Sequence, residues 1–225
     1  MINKFLDKTG LTTKLTRAQL AKFIERHRSD GYTLDIGCAN SPYAVFFPNR
    51  VGLDIKEGSG VDVIGDVNHL PFEDNKFDNV LCTEVLEHLR TPQQALAEIK
   101  RVLKPSGHLI LSTRFIFPIH DAPDDFYRFT KYGLQNLFTD GWEILELIEE
   151  TDTKNTLAVL LQRIAYQTKF KWGLLGLTLK ALFFIAARII IFLPSLIDQE
   201  FGNISRSTKE QNILTSGYYL FCRKK

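Results

Sequence analysis

Gly37 directly follows a short apolar run, Tyr32–Ile36. With no Cβ it lets the backbone come close to a ligand. Asp54 stands 17 residues later, at the end of a second apolar run, Arg50–Asp54. A carboxylate at that spacing can accept hydrogen bonds from both hydroxyls of a ribose. Asp66 follows a third run, Val61–Ile64, and can accept from an exocyclic adenine amine, with Val67 and Leu70 spaced to sandwich the ring. Each residue alone has a plainer reading: a turn glycine, a solvated strand end, an Asx turn before Asn68. The ordered set is more specific than its members. It points to a nucleoside bound beyond the carboxyl ends of strands in an open sheet.

The elements that would position these residues alternate. A helix is expected over Thr16–Arg28, with Leu20, Phe23 and Ile24 on one side. After the three strands come a fourth, Asp78–Cys82, and a helix opened by Thr91 and Pro92. That helix presents Ala95, Leu96, Ile99, Val102 and Leu103 on one face, and Lys104–Gly107 stops it. A fifth strand, His108–Ser112, a helix capped by Thr130, a sixth strand, Trp142–Ile148, and a seventh, Gly217–Cys222, complete the series. The fold class is α/β: a Rossmann-like, seven-stranded, mostly parallel sheet with helices on both faces and a helical insert before the last strand. Only the insert separates the last two strands, so they are expected to pair antiparallel at an edge. The organisation reads as an N-terminal helix at 1–30, a cofactor-binding core at 31–150, a basic apolar insert at 151–215 and the last strand at 216–225.

Leu34-Asp35-Ile36-Gly37-Cys38-Ala39 resembles the first motif of class I methyltransferases that use S-adenosylmethionine, and Val51-Gly52-Leu53-Asp54-Ile55 resembles the second. Asp66 with Leu70-Pro71-Phe72-Glu73-Asp74 and Phe77-Asp78, then Glu84-Val85-Leu86-Glu87-His88, then Arg101–Gly107, complete the type-11 pattern. The resemblance covers residues 32–113 in order and spacing. It implies S-adenosylmethionine as cofactor. Asp35, Gly37 and Ala39 would line its methionine end, Asp54 would hold the ribose with Ile55 beside the adenine, and Asp66 and Val67 would address the adenine edge. Thr83 would face the methionine part and the reacting methyl. Ala39 and Ser41 stand where the family usually has glycines, and Pro48 limits the first helix to about two turns.

A sulfonium methyl is already activated, so the enzyme's task is alignment and exclusion of water. Positioning alone supplies about 7–11 kcal/mol in good intramolecular reactions. A hydroxyl acceptor gains about 10²–10⁴-fold more from a base. His120 is the first candidate base, in the polar, aromatic, proline-stiffened loop Pro118–Thr130, with Asp124 and His88 behind it. The bland alternatives are a packing or capping histidine at position 88 and a loop clamped by Asp125 and Arg128. Glu84, Glu87 and His88 read as a solvated helical face, and no metal site is expected.

Residues 153–197 contain no Asp or Glu and carry Lys154, Arg163, Lys169, Lys171, Lys180 and Arg188. Residues 1–152 hold 17 bases and 23 acids, so an acidic body carries a basic apolar insert. No stretch between charges there exceeds nine residues, short of the ~20 that a span needs. As one helix, Arg163, Lys169, Lys180 and Arg188 share about a third of the circumference, with Lys171 opposite. The expected partner of 156–197 is an anionic membrane surface, with Trp172 and the phenylalanines at the interface. A cap on the core, a dimer interface or a span are the alternatives. Three cysteines of unmatched spacing suggest free thiols in a reducing compartment. Met1–Gly10 lacks the apolar run of a signal peptide. The protein is therefore expected in the cytoplasm, peripheral on the inner face of the membrane.

The acceptor expected from these features is a small or lipid-linked molecule. The resemblance puts a sugar hydroxyl in surface-polysaccharide synthesis first and a quinone-type lipid second. A non-catalytic cofactor-binding or scaffold protein is the reading from another class. Nucleic acid is not expected, because the body is acidic where phosphate contacts need Lys and Arg. Nor does Thr83-Glu84-Val85-Leu86 match the Asn/Asp-Pro-Pro-aromatic signature of amino-methylating enzymes.

Overall fold

The computed structural model describes residues 15–171 and 173–225. Met1–Gly10 and Trp172, for which expectations were given above, lie outside the described residues. Strands buried on both faces need continuous apolar runs, and β1 (Thr33–Ile36) is buried at every position. It pairs in parallel with β2 (Arg50–Asp54) and β4 (Phe77–Thr83). β3 (Val63–Ile64) joins β2, and β5 (Leu103–Arg114) joins β4, again in parallel. β9 (Gly217–Lys224) runs antiparallel to β5. With β6 (Trp142–Glu149) the order is β3-β2-β1-β4-β5-β9-β6. The expected seven-stranded, mostly parallel sheet is present. β9 is inserted between β5 and β6, so β6 alone forms that edge.

The two faces of the sheet are covered by different helices. α1 (Leu15–Arg26) brings Leu20, Phe23 and Ile24 against Leu81, Ile110 and Tyr219. α2 (Pro92–Val102) brings Ala95, Leu96, Ile99 and Val102 against Leu34, Ile36, Val80 and Leu109. Ile99 is fully buried, and each such side chain contributes about 1.5–3 kcal/mol through burial. α3 (Lys131–Leu137) is capped as expected, with Thr130 Oγ1 accepting from Gly133 N at 3.0 Å.

Several local expectations need correction. Thr91 precedes α2 but does not cap it; its hydroxyl donates to Asn68 Oδ1 at 3.0 Å. Between β1 and β2 there is a single 3-10 turn, Ala44–Phe46, rather than two turns of α-helix. β3 is short because the Asp62 carboxylate takes the Gly52 N–H at 2.7 Å, where a ladder bond would otherwise form. The helix stops before Lys104–Gly107 as expected, but β5 begins at Leu103 rather than His108 and passes through a register shift, with Ser106 at φ 62°.

The chain divides into two units. One comprises residues 20–115, 119–148 and 217–225 and holds the sheet. The other contains residues 116–118 and 149–216. In the second, α4 (Thr153–Gln167) is capped by Asp152, whose Oδ1 accepts from Asn155 N at 2.6 Å. α5 (Gly173–Phe192) packs on it through Ala165 and Phe184, with the Tyr166 and Phe184 rings edge-on at 5.0 Å. A small hairpin, β7 (Glu200–Phe201) with β8 (Lys209–Glu210), follows. The insert is thus two helices and a ribbon. Arg163 belongs to one helix and Lys180 and Arg188 to the other, so the single-wheel alignment of charges does not hold.

Candidate active site

Register brings the sequence-predicted residues to one rim. Ile36 lies level with Leu53 and with Cys82. The next residue of each strand system, Gly37, Asp54 and Thr83, therefore emerges at the same carboxyl edge. Gly37 has φ 71°, and a Cβ there would stand 2.4 Å from Val85 Cγ2. The glycine is needed for its backbone conformation and for Val85. Its amide donates to Leu53 O at 2.8 Å, which folds the loop back over β2. Ala39 N then donates to Asp54 Oδ2 at 3.2 Å, and Lys56 N to Oδ1 at 3.1 Å. These bonds fix the Asp54 carboxylate and leave it only partly buried. Ile55 beside it is 68% exposed.

The remaining predicted residues are placed less uniformly. Asp35 is 1% exposed and faces Arg50 Nη1 at 3.3 Å. Burial pushes its pKa up to about 6, against the pull of Arg50. It supports the loop from below. Arg50 also donates to Gly60 O at 2.7 Å, tying the loops after β1 and β2 to the same cluster. Asp66 caps its own turn, with Oδ1 accepting from Asn68 N and Nδ2, so the Asx turn is real. Val67 and Leu70 are core residues, which takes their side chains away from sandwiching a ring. The segment is held by Glu98, which accepts from Leu70 N at 2.8 Å, and by Arg101, which donates to Leu70 O at 3.0 Å.

An adenosyl nucleoside fits this rim. A fixed, partly open carboxylate stands at the ribose position, an exposed isoleucine lies next to it, and a left-handed glycine turn leaves β1 where the strand order switches from β2 to β4. Two surface hollows, one beside Ser29 and Pro48 and one beside Lys154 and Glu210, share no residue with it.

The other side of the rim is built from the turn after β4 and the loop after β5. Glu84, at φ 58°, donates its amide to Ser112 O at 3.1 Å and pairs with Arg114. Glu87 is 0% exposed. Thr113 Oγ1 donates to its Oε2 at 2.8 Å. Its main-chain carbonyl accepts from Phe126 N at 2.9 Å and Tyr127 N at 3.1 Å, which straps the loop to this turn. The reading of Glu84, Glu87 and His88 as a solvated face fails at Glu87. His88 Nδ1 meets Asp124 O at 2.5 Å, and the rings of His88 and His120 lie edge-on at 4.8 Å. His120 is half-buried, and desolvation lowers its pKa despite the nearby Asp125. Asp125 also accepts from His120 N at 2.9 Å and is clamped by Arg128 at 2.6 and 2.7 Å. The clamp and the paired histidines therefore coexist. Asp124 is exposed and takes part through its carbonyl.

Sequence reasoning did not single out Thr113 and Arg114, both buried. It had no local signal for them, because they close β5 in the polar run Ser112-Thr113-Arg114, which reads in sequence as a solvated strand end. The Glu84-x-x-Glu87-His88 spacing was visible, but its burial was not.

The sequence pattern of the methyltransferase domain family, type 11, matches residues 34–111. An uncharacterised protein of Methanocaldococcus jannaschii is 30% identical over 147 residues, covering 60% of this chain and 70% of that one. A demethylmenaquinone methyltransferase of Renibacterium salmoninarum is 37% identical over 86 residues, covering 34% of this chain and 36% of its own. A ubiquinone/menaquinone biosynthesis C-methyltransferase of Haemophilus ducreyi is 35% identical over 92 residues, covering 38% of this chain and 34% of its own. The chain thus spans only about a third of each of these two enzymes. A solved methyltransferase of Thermotoga maritima superposes with a TM-score of 0.58 over 100% of this chain and 96% of that one, at 15% identity. A second, from Bacillus halodurans, gives 0.54 over 91% and 98%, at 17% identity. These two structures speak to the fold.

Proposed function

From the premise that this chain belongs to the class I S-adenosylmethionine-dependent methyltransferases, type 11, and is an enzyme using that cofactor, we propose that it methylates a hydroxyl of a lipid-linked acceptor at a membrane surface. The observation that carries this reading is the exposed face of α5. Leu174, Leu175, Leu179, Leu182, Ile185, Ile189 and Phe192 are all exposed there, from 36% to 78%. They recur at helical spacing on one stripe, and Lys180 and Arg188 lie off it. An apolar patch of that extent marks an interaction surface. By length and composition α5 could cross a membrane. Lys180 near its middle costs about 2.5–3.5 kcal/mol at a bilayer centre, which favours a helix lying in the interface.

The cofactor supplies a methyl group on sulfonium, ready for in-line attack. Asp54 would hold the ribose and Ile55 would contact the adenine, with Asp66 and the Val67 backbone addressing its edge. The loop from Gly37 to Ala39, supported by Asp35, and Thr83 shape the methionine end. His120, neutral because burial lowers its pKa, takes the acceptor's proton. His88 orients it through their ring contact, and Asp124 borders the acceptor. The loop that carries His120 begins at residues 116–118, which belong to the insert unit: Ile116 N donates to Thr215 O at 3.1 Å, and Arg163 lies over the Phe117 ring at 4.3 Å. A peripheral place on the cytoplasmic face follows from this reading.

A sugar on a lipid carrier is the acceptor put first, because its hydroxyls suit exposed Asp121 and Asp124. A quinone-type lipid is the second, favoured by the names of two relatives. Comparing a deletion strain with its parent by mass spectrometry of lipid-linked glycans and quinones tests both. Loss of one methyl increment from the glycan pool supports the first acceptor, and loss from the quinone pool the second. No change in either pool contradicts the proposal.

A further inference from the structure

We propose that Glu87, His88 and His120 form a binding site for a divalent transition-metal ion. Their candidate ligand atoms all lie within 4.8 Å of one another. Glu87 Oε1 is buried and has no hydrogen-bond partner. Leaving such an atom unmet costs about 1–3 kcal/mol, and more if it is charged. A cation facing it removes that cost.

The surrounding groups are arranged as a metal site requires. A metal-bound imidazole commonly donates its other ring N–H to a carbonyl or carboxylate, which fixes tautomer and ring orientation. His88 Nδ1 is 2.5 Å from the Asp124 carbonyl, so it donates and Nε2 carries the lone pair. His120 Nδ1 stands 3.5 Å from Asp125 Oδ2, and Arg128 clamps that carboxylate. Thr113 holds the other oxygen of Glu87. Two imidazoles and one carboxylate match three-ligand catalytic sites that keep a coordination position open. This donor set suits zinc, cobalt, manganese or iron better than magnesium or calcium. The open position would receive the acceptor oxygen, and the ion would then take over from His120 the activation of that hydroxyl, since an imidazole whose lone pair holds the ion cannot also accept a proton; that use rests on the acceptor reading above, whereas ion binding itself does not.

Metal-stripped full-length protein titrated with Co²⁺, without cofactor or acceptor, tests the site. The expected result is visible absorption that saturates at one ion per chain. Zn²⁺ should displace the cobalt and raise the thermal unfolding temperature. His120→Ala, in a loop, and His88→Ala should each weaken binding by more than about 100-fold, the upper end of what loss of an outer-shell partner causes. Asp125→Asn should weaken it by about 10-fold. No saturable cobalt spectrum, or His120→Ala binding as tightly as the parent, overturns the proposal. Because no acceptor is present, neither result depends on which molecule is methylated.

Discussion

At the residue scale, the rim depends on a few positions whose chemistry is fixed by their surroundings. Gly37 combines φ 71° with a Cβ position 2.4 Å from Val85. Gly37→Ala should cost about 2 kcal/mol from backbone conformation and crowding, read as a lower urea midpoint at unchanged m. His120→Ala should slow transfer about 10²-fold or more while leaving cofactor affinity intact. An equal loss of cofactor binding would move His120 out of the acceptor side. Asp125 is held at about 2 by Arg128, below its ordinary 3.8. A depressed carboxylate stabilises fully above its unfolded value and loses that contribution as pH falls through about 2. Asp125→Asn should therefore cost about 1–2 kcal/mol at pH 7 and progressively less as pH falls below about 4, with the difference gone only below about 2, measured by denaturant unfolding at each pH. Asp35 runs the other way: its raised value means that ionisation becomes a cost to the fold as pH rises from about 4 towards 6.

At the scale of elements, α5 carries the main prediction. Leu182→Glu with Ile189→Glu places two charges on the exposed stripe without touching buried Phe184 or Ala187. Binding to vesicles containing anionic lipid should fall at least 10-fold, with unchanged thermal unfolding. Undiminished binding would assign the stripe elsewhere. Extraction of the parent from membranes by alkaline carbonate fits an interfacial helix; retention would mean a span. The helix was legible as apolar sequence, but the break near Thr168–Lys171 was not. Without a proline there, nothing marks where one helix stops, and two helices packed on each other change which charges share a face. The strands were easier, since β1, β2 and β4 are apolar runs with a required register. β3 shrank because a side chain, Asp62, replaced a backbone partner, a substitution that periodicity does not record.

At the scale of the whole molecule, the residues proposed for the cofactor could be picked out because they fall at strand ends in fixed order. The cluster of Glu87, His88 and His120 was harder to see, since Glu87 and His120 meet only after β5 has crossed beside β4. Their proximity is tertiary, and neither residue's neighbours in sequence announce it. The central claim is that the row of Gly37, Asp54 and Thr83 binds S-adenosylmethionine with Asp54 on the ribose. Titration calorimetry of the full chain with S-adenosylmethionine, run beside Asp54→Ala, measures that directly. The expected outcome is one molecule bound per chain and a loss of at least 10-fold in the variant, about 1.4 kcal/mol. Equal affinity in the two proteins, or no uptake by folded parent protein, would contradict it.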